Sequence, residues 1–204
     1  MITLSAIVEL MHDQFDVGRV LVIAPKLVAE TVWAEEAAKW DHTRHLRVSK
    51  VLGSAQERVA AFRRPADIYV INRENVPWLV ERVGAKWPFD MVVVDELSSF
   101  KSPKTKRFRA LRRVRPMIKR IVGLTGTPAP NGLIDLWSQI YLLDQGERLG
   151  KTLTSYRDRF FKPGRRNGHI VYEWVPKPGA EERIHELLSD LCVSMRAEDW
   201  LELP

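Results

Sequence analysis

The sequence predicts an α/β protein built on a parallel sheet, and three observations support this prediction. Uninterrupted apolar runs of strand length recur through the first 125 residues. Stretches in which apolar residues repeat at helical spacing separate these runs. Two of the runs, at 91–95 and 121–125, end in acidic, small or hydroxylated residues. Short apolar runs alternating with helical stretches are typical of parallel strands that helices cover on both faces.

Four strands and their intervening helices follow in chain order. The apolar runs place strands at 20–24, 68–72, 91–95 and 121–125. Apolar residues at helical spacing predict helices over 4–11, 28–40, 56–62 and 77–83, and a further helix through Phe108, Leu111, Val114 and Ile118.

Beyond Pro130 the pattern becomes mainly helical. Helices are predicted at 133–143, 157–161 and 181–191, with a basic turn at 162–167 and a hairpin strand at 171–175. We therefore expect a sheet domain over residues 1–132 and a mostly helical protrusion over residues 133–204.

Composition narrows the class of protein. The 204 residues are 45% hydrophobic and 28% charged, which is ordinary for a globular domain with a sizeable core. No apolar run approaches the roughly 18 residues of a membrane span, and the N-terminus lacks the basic leader of a secretory signal. We expect a cytoplasmic protein without a membrane partner.

The chain has a single cysteine, Cys192. One cysteine rules out an intrachain disulfide and a multi-thiolate metal site. Because Cys192 stands on the apolar side of a helical stretch, we expect it to be a buried packing residue.

Positive charge is concentrated in one segment. Residues 101–120 contain ten cations and no acid, in a chain whose net charge is +6, so the remainder is net acidic. Such a cluster is typical of a surface that binds a polyanion. Because apolar residues at helical spacing run through it, a solvated helix face explains the segment equally well.

The clearest chemical feature is the acidic pair Asp95-Glu96 at the end of a predicted strand. In open α/β sheets, ligands bind beyond the carboxyl ends of the strands. An aspartate there can hold Mg²⁺, and a neighbouring glutamate can orient the water that attacks a γ-phosphate. Taken alone, the pair is more simply explained as the acidic start of a solvated turn.

A second loop, at 123–132, follows the next predicted strand. Its small and hydroxylated residues leave backbone amides and hydroxyls available to a phosphate or a carboxylate, and its two prolines set the exit from the strand. An ordinary loop accounts for the glycines and prolines. It does not account for the position of this loop at a strand end corresponding to that of Asp95-Glu96.

With these segments in order, the chain resembles the N-terminal, RecA-like lobe of the Swi/Snf family of superfamily-two helicases. Residues 22–26 with Trp33 resemble its motif Ia, residues 71–74 its motif Ib, and residues 95–98 its DEAH-type Walker B motif. Residues 124–128, with Asn131, Leu136 and Trp137, resemble motif III and the segment after that motif. The stretch 95–101 looks most like compact phage and bacterial members.

The resemblance implies an ATP-driven motor that moves along duplex DNA. Asp95 would hold Mg²⁺, Glu96 would orient the attacking water, and Thr125, Gly126 and Thr127 would contact the nucleotide. The residues implied at the DNA backbone are Lys26, Asn72, Arg73, Lys101, Lys104, Lys106 and Arg107. The resemblance also implies the cytoplasm of a bacterium or of a phage-infected host cell.

The chain contains no phosphate-binding Gly-x-x-x-x-Gly-Lys-Ser/Thr loop. Its Gly-Lys-Thr at 150–152 has Gln145 in the position of the first glycine and follows the acidic pair, so it predicts a turn before a helix. By resemblance, the loop would immediately precede Ile2, and a second lobe with its arginine fingers would follow residue 204. We expect ATP and Mg²⁺ to act only with those parts supplied. The alternative is a non-catalytic DNA-binding remnant or a regulatory module.

Overall fold

The computed structural model describes residues 2–127, 129, 132–167 and 170–193. The chain divides into two compact units, Met1–Gln145 and Gly146–Pro204. This division falls after the predicted boundary at 132, because the helix that follows residue 135 packs against the sheet of the first unit. Within the described residues, no helix is both long and apolar enough to cross a membrane.

The first unit contains five strands and seven α-helices among its described residues. The strands are β1 (Val20–Ala24), β2 (Val48–Lys50), β3 (Ile68–Asn72), β4 (Met91–Asp95) and β5 (Arg120–Leu124). The helices are α1 (Ile2–Val8), α2 (Lys26–Glu30), α3 (Val32–Lys39), α4 (Ala55–Arg63), α5 (Val76–Val83), α6 (Lys106–Val114) and α7 (Leu136–Asp144). A π-helical turn, Glu9–Asp13, extends α1. Short 3-10 turns are formed by Arg73–Asn75, Leu97–Phe100, Arg115–Met117 and Leu133–Asp135.

The second unit combines two helices with short antiparallel pairings. The helices are α8 (Leu153–Phe160) and α9 (Ala180–Leu188), and β6 (Phe161–Pro163) pairs with β9 (Trp174–Pro176), while β7 (Arg166–Asn167) pairs with β8 (Ile170–Val171). Thr152 caps α8 by accepting a hydrogen bond from the Ser155 amide at 3.1 Å. The Gly-Lys-Thr at 150–152 is therefore a turn before a helix, as predicted. Cys192 lies beyond the end of α9 and is exposed, so the expectation of a buried packing residue was wrong.

The five strands form one parallel sheet in the order β2-β3-β1-β4-β5, which confirms the predicted α/β class. Strands β1, β3 and β4 have the predicted limits, and β5 begins and ends one residue early. Strand β2 was not predicted, because its three residues include Ser49 and Lys50 and form no apolar run. Since all five strands are parallel, their C-terminal ends lie at one edge of the sheet, which we call the carboxyl edge.

Apolar side chains alternate between the two faces of the sheet. On one face, a buried cluster joins Leu4 and Ile7 of α1 and Trp33 of α3 to alternate residues of β1, β3 and β4. Helix α6 is amphipathic as predicted, with Phe108, Leu111 and Val114 buried, but it ends at Val114. Ile118, which the prediction included in the helix, lies after the turn Arg115–Met117 and is extended and buried. The predicted helix at 28–40 is instead two helices, because the backbone leaves helical geometry at Thr31.

A buried arginine joins the segment after α6 to the end of α7. Arg115 is 7% exposed, and its guanidinium donates hydrogen bonds to the backbone carbonyls of Leu142, Ile118 and Leu143. Burial lowers the pKa of Arg115 from its ordinary value. This side chain therefore holds α7 against the start of β5, even though it belongs to the segment whose charge is typical of a polyanion-binding surface.

Replacing this arginine is expected to destabilise the fold. Arg115→Met would leave three backbone carbonyls without their donor, and we expect it to lower the free energy of unfolding by about 2–4 kcal/mol. Arg109→Met removes the same charge from an exposed position of α6 and is expected to change stability by less than about 0.5 kcal/mol. Urea denaturation followed by circular dichroism measures both, and equal effects would contradict the structural role of Arg115.

Candidate active site at the carboxyl edge of the sheet

Sheet topology brings the predicted site residues together. From β1 the chain proceeds to β2 and β3 on one side, whereas β4 and β5 lie on the other. The carboxyl edge between β1 and β4 is thus a topological switch point, where open α/β sheets form ligand crevices. Asp95 is the last residue of β4 and is paired in register with Leu124 of β5. Glu96 and Thr125 consequently leave neighbouring strand ends side by side.

Glu96 adopts a left-handed backbone conformation, with φ 63° and ψ 65°. For a residue other than glycine this conformation costs on the order of 1 kcal/mol, and such residues concentrate at functional sites. The turn directs the Glu96 carboxylate toward β5. There Oε1 accepts a hydrogen bond from Thr125 Oγ1 at 2.9 Å and another from the Ser98 hydroxyl. The two hydroxyls hold one oxygen, and among the described residues no side chain donates a hydrogen bond to Oε2, which could therefore contact a water or substrate.

Asp95 is held from a different element. The indole Nε1 of Trp33, on α3, donates a hydrogen bond to Asp95 Oδ2 at 2.9 Å. Trp33 is only 7% exposed and belongs to the buried cluster on its face of the sheet. The carboxylate is therefore oriented by a rigid donor.

Close packing beneath the site depends on Gly123. A Cβ added to Gly123 in β5 would lie 2.4 Å from Leu97 Cδ2, and Leu97 is buried directly after Glu96. The absence of a side chain at 123 lets the turn after β4 lie against β5. This packing helps bring Glu96 within hydrogen-bonding distance of Thr125.

The loop after β5 continues from this contact. Thr125 Oγ1, which donates to Glu96, also accepts a hydrogen bond from the Thr127 amide at 3.3 Å. Gly126 and Thr127 are exposed. Pro128 and Asn131, which also carried the resemblance to motif III, lie outside the described residues. The structure thus brings Asp95, Glu96 and Thr125 together, with Gly126 and Thr127 adjoining them.

These residues fit a magnesium ion that binds together with a nucleotide. Among the described residues there is no group of three or more side chains able to form a complete metal site. Mg²⁺ commonly uses one or two carboxylates and takes its other ligands from water and phosphates. The oxygen of Asp95 that Trp33 does not contact suits that role.

The other implied DNA contacts, Lys26, Asn72 and Arg73, also follow strands at the carboxyl edge. The Lys26 side chain is 76% exposed and lies 3.8 Å from Glu30. Asn72 donates to Glu74 Oε2 at 3.1 Å, and Arg73 Nε donates to Glu74 Oε1 at 2.9 Å. Burial favours the neutral form of Glu74, but these hydrogen bonds outweigh it and lower its pKa. Of the three, Lys26 is the most accessible to a phosphate.

The basic segment separates into accessible and structural cations. Lys104, Lys106 and Arg109 are exposed, and within the described part of the chain they make no ion pair. Lys101 lies 3.8 Å from Asp135, and Arg107 donates to the Ser99 carbonyl at 2.8 Å. The accessible cations therefore cluster at the start of α6.

The remaining cations of the segment have structural contacts. Arg112 stacks on Tyr141 with 4.6 Å between the guanidinium and the ring centre, and Arg113 donates to the Val80 carbonyl at 3.2 Å. At the opposite edge of the sheet, Lys119 and Arg120 form ion pairs with Asp16. Hydrogen bonds from Lys119 and then Arg120 lower the pKa of Asp16. The segment thus contains cations with structural contacts as well as cations that are exposed at the start of α6. Its role as a polyanion-binding surface stays a prediction.

Two members of the site were not predicted from the sequence. Ser98 and Trp33 stand in stretches that carried the family resemblance, yet neither was assigned a contact with the acidic pair. Ser98 follows Glu96 by two residues, so local sequence offered a signal. Trp33 is 62 residues before Asp95, and only the tertiary fold brings them together.

Comparisons with known proteins place the chain in a family. Residues 1–200 match the model of the SNF2-related domain. Protein p41 of Acyrthosiphon pisum secondary endosymbiont phage 1 is 39% identical over 207 residues, covering 98% of this chain and 45% of p41. Mouse DNA excision repair protein ERCC-6-like is 33% identical over 161 residues, covering 75% of this chain and 12% of that protein. The chain thus spans less than half the length of these relatives.

A solved structure shows the same fold. The Sulfolobus solfataricus SWI2/SNF2 ATPase core in complex with dsDNA superimposes with a TM-score of 0.72 at 23% identity, covering 96% of this chain and 37% of that one. This likeness shows that the chain shares the α/β fold of that core, as expected for the predicted RecA-like lobe. Taken with the family model over residues 1–200, these similarities show that the chain belongs to the SNF2-related domain family.

Proposed function

We propose that this chain is the first ATPase lobe of a motor that couples ATP hydrolysis to movement on duplex DNA. The observation that carries the proposal is the arrangement of Asp95, Glu96 and Thr125, in which hydroxyls from two segments orient the glutamate beside a second carboxylate. Family membership supports this class of reaction, and the geometry supports the assignment of these residues to it.

Each acid has a separate role in this proposal. Asp95 would hold Mg²⁺ through the oxygen that Trp33 leaves available, and the ion would neutralise phosphate charge. Glu96 would use Oε2 to orient the attacking water, since its other oxygen is occupied. Thr125 touches Glu96 and begins the loop with Gly126 and Thr127, so a phosphate bound to that loop would act directly on the position of the glutamate.

The carboxyl edge also supports the proposed DNA contacts. Lys26, Lys104 and Lys106 are exposed cations on segments that follow strands β1 and β4. Contacts of this kind are made with phosphates, so they favour DNA of any sequence. Four further residues belong to the proposed surface: Lys101, Arg107, Asn72 and Arg73. Each of them would have to give up a contact within the chain before it could bind a phosphate.

A complete motor requires parts that these 204 residues do not contain. The proposal needs a phosphate loop before Ile2 and a second RecA-like lobe with arginine fingers, in the same polypeptide or a partner. The proposed setting is the cytoplasm of a bacterium or of a phage-infected cell. The alternative, a non-catalytic DNA-binding remnant or a regulatory module, would also account for the exposed cations at the start of α6.

The 204-residue polypeptide alone is expected to hydrolyse ATP negligibly. Without the lysine of the phosphate loop and the arginine fingers, charge developing on the γ-phosphate lacks its main partners, each of which is worth orders of magnitude in rate. Phosphate release measured with saturating duplex DNA checks this expectation, and appreciable turnover would contradict it.

A chimera distinguishes the proposed motor function from the alternative of a DNA-binding remnant. We expect the chain to support DNA-stimulated ATP hydrolysis when it replaces the equivalent segment of a SNF2-type relative that has both missing parts. Glu96→Gln in the chimera should lower kcat by about 100-fold or more, because the water loses its orienting carboxylate. Glu81→Gln, at an exposed acid of α5, is the matched control and should leave kcat unchanged. A folded chimera that binds DNA but shows no stimulated hydrolysis would favour the remnant.

Duplex DNA binding by the chain should depend on the start of α6. Lys104→Gln combined with Lys106→Gln is expected to weaken binding to DNA of any sequence and to reduce the salt slope, d log K/d log [salt], by about 2. The control pair, Arg63→Gln with Lys86→Gln, makes the same charge change at exposed positions that precede β3 and β4. Fluorescence anisotropy over a salt series measures both. Equal salt slopes for the two double variants would rule out a DNA contact localised at the start of α6.

A further inference from the structure

We propose that Trp33 is a positioning residue for the metal-binding carboxylate of Asp95. Its indole N–H holds Oδ2, so that Oδ1 is the oxygen offered to magnesium. This inference rests on the proposed function in assigning the metal to Asp95. It adds a residue from α3 whose side chain would tune the metal site without touching the ion or the nucleotide.

The geometry gives the indole little freedom. Trp33 is 7% exposed and packs among buried residues of α1, β1 and β4. This burial limits the directions in which the indole can present its single N–H, and its Nε1 lies 2.9 Å from Asp95 Oδ2. The hydrogen bond thus restricts rotation of the carboxylate about its terminal torsion.

The acceptor of the Trp33 hydrogen bond indicates that this side chain has a role beyond packing in the core. A buried indole N–H needs only some acceptor, and backbone carbonyls are the commonest ones available. Trp33 instead donates to a carboxylate at the end of a parallel strand, where bonding to the charge strengthens the interaction. Donors that hold metal ligands from outside the coordination sphere commonly alter metal affinity by about 10–100-fold.

A second tryptophan provides a control within the same part of the chain. Trp40 directly follows α3, and its Nε1 donates to Glu36 Oε2 at 3.3 Å. This pair has the same chemistry as Trp33 and Asp95 but is local, between residues four apart, and lies away from the end of β4. Trp33→Phe and Trp40→Phe therefore remove equivalent hydrogen bonds, only one of which holds the proposed ligand.

The first measurement tests the hydrogen bond in the chain without a tryptophan substitution. In the ¹⁵N-labelled 204-residue protein, Asp95→Asn should shift the indole resonance of Trp33 and accelerate its hydrogen exchange, while the resonance of Trp40 stays in place. An unchanged Trp33 resonance would overturn the proposal. This comparison does not depend on whether Trp33→Phe folds.

The second measurement uses the chimera described above, with a non-hydrolysable ATP analogue, and quantifies protein-bound Mn²⁺ by electron paramagnetic resonance. The wild-type chimera should bind Mn²⁺ with the analogue, and its Asp95→Asn variant should bind it far more weakly. Trp33→Phe should weaken binding by about 10-fold and Trp40→Phe should not change it, with affinities referred to folded protein. If wild type binds and Trp33→Phe binds equally well, Trp33 has no positioning role. If wild type binds no Mn²⁺, the metal assignment of Asp95 fails, and the inference fails with it.

Discussion

The parallel pairing of neighbouring strands in the order β2-β3-β1-β4-β5 is the constraint on which the rest of the structure depends. It places the C-terminal ends of all five strands at one edge. Residues far apart in the chain thereby become neighbours, and the register that pairs Asp95 with Leu124 leaves Thr125 beside Glu96. The helices then cover both faces, so the polar strand ends remain the part of the sheet open to a ligand.

Within that edge, orientation is achieved by hydrogen bonds from outside the acidic pair. Asp95 and Glu96 are adjacent, yet they are held by different elements, the indole of α3 and the hydroxyl that follows β5. The left-handed turn at Glu96 separates the two carboxylates in direction. One acid could therefore face a metal while its neighbour faces a water at the same edge of the sheet. In a regular strand, adjacent side chains point to opposite faces of the sheet.

The basic segment shows why charge in a sequence does not equal charge on a surface. Its cations include a buried arginine that binds backbone carbonyls and two side chains that form ion pairs with Asp16 at the far edge of the sheet. Four others contact an acid, a carbonyl or a ring within the first unit. Only the exposed side chains at the start of α6 are available without rearrangement, so the electrostatic surface is smaller and more localised than the sequence suggests.

The sequence by itself determined the α/β class, three strands with their limits, and the acidic pair with its companion loop, because long apolar runs and strand-end chemistry are local signals. It missed β2, whose pairing with β3 gives a short polar segment its strand geometry. Tertiary structure alone decided that Trp33 meets Asp95, that Arg115 is internal, and which cations are exposed. Those outcomes depend on contacts between distant segments, which no local pattern records.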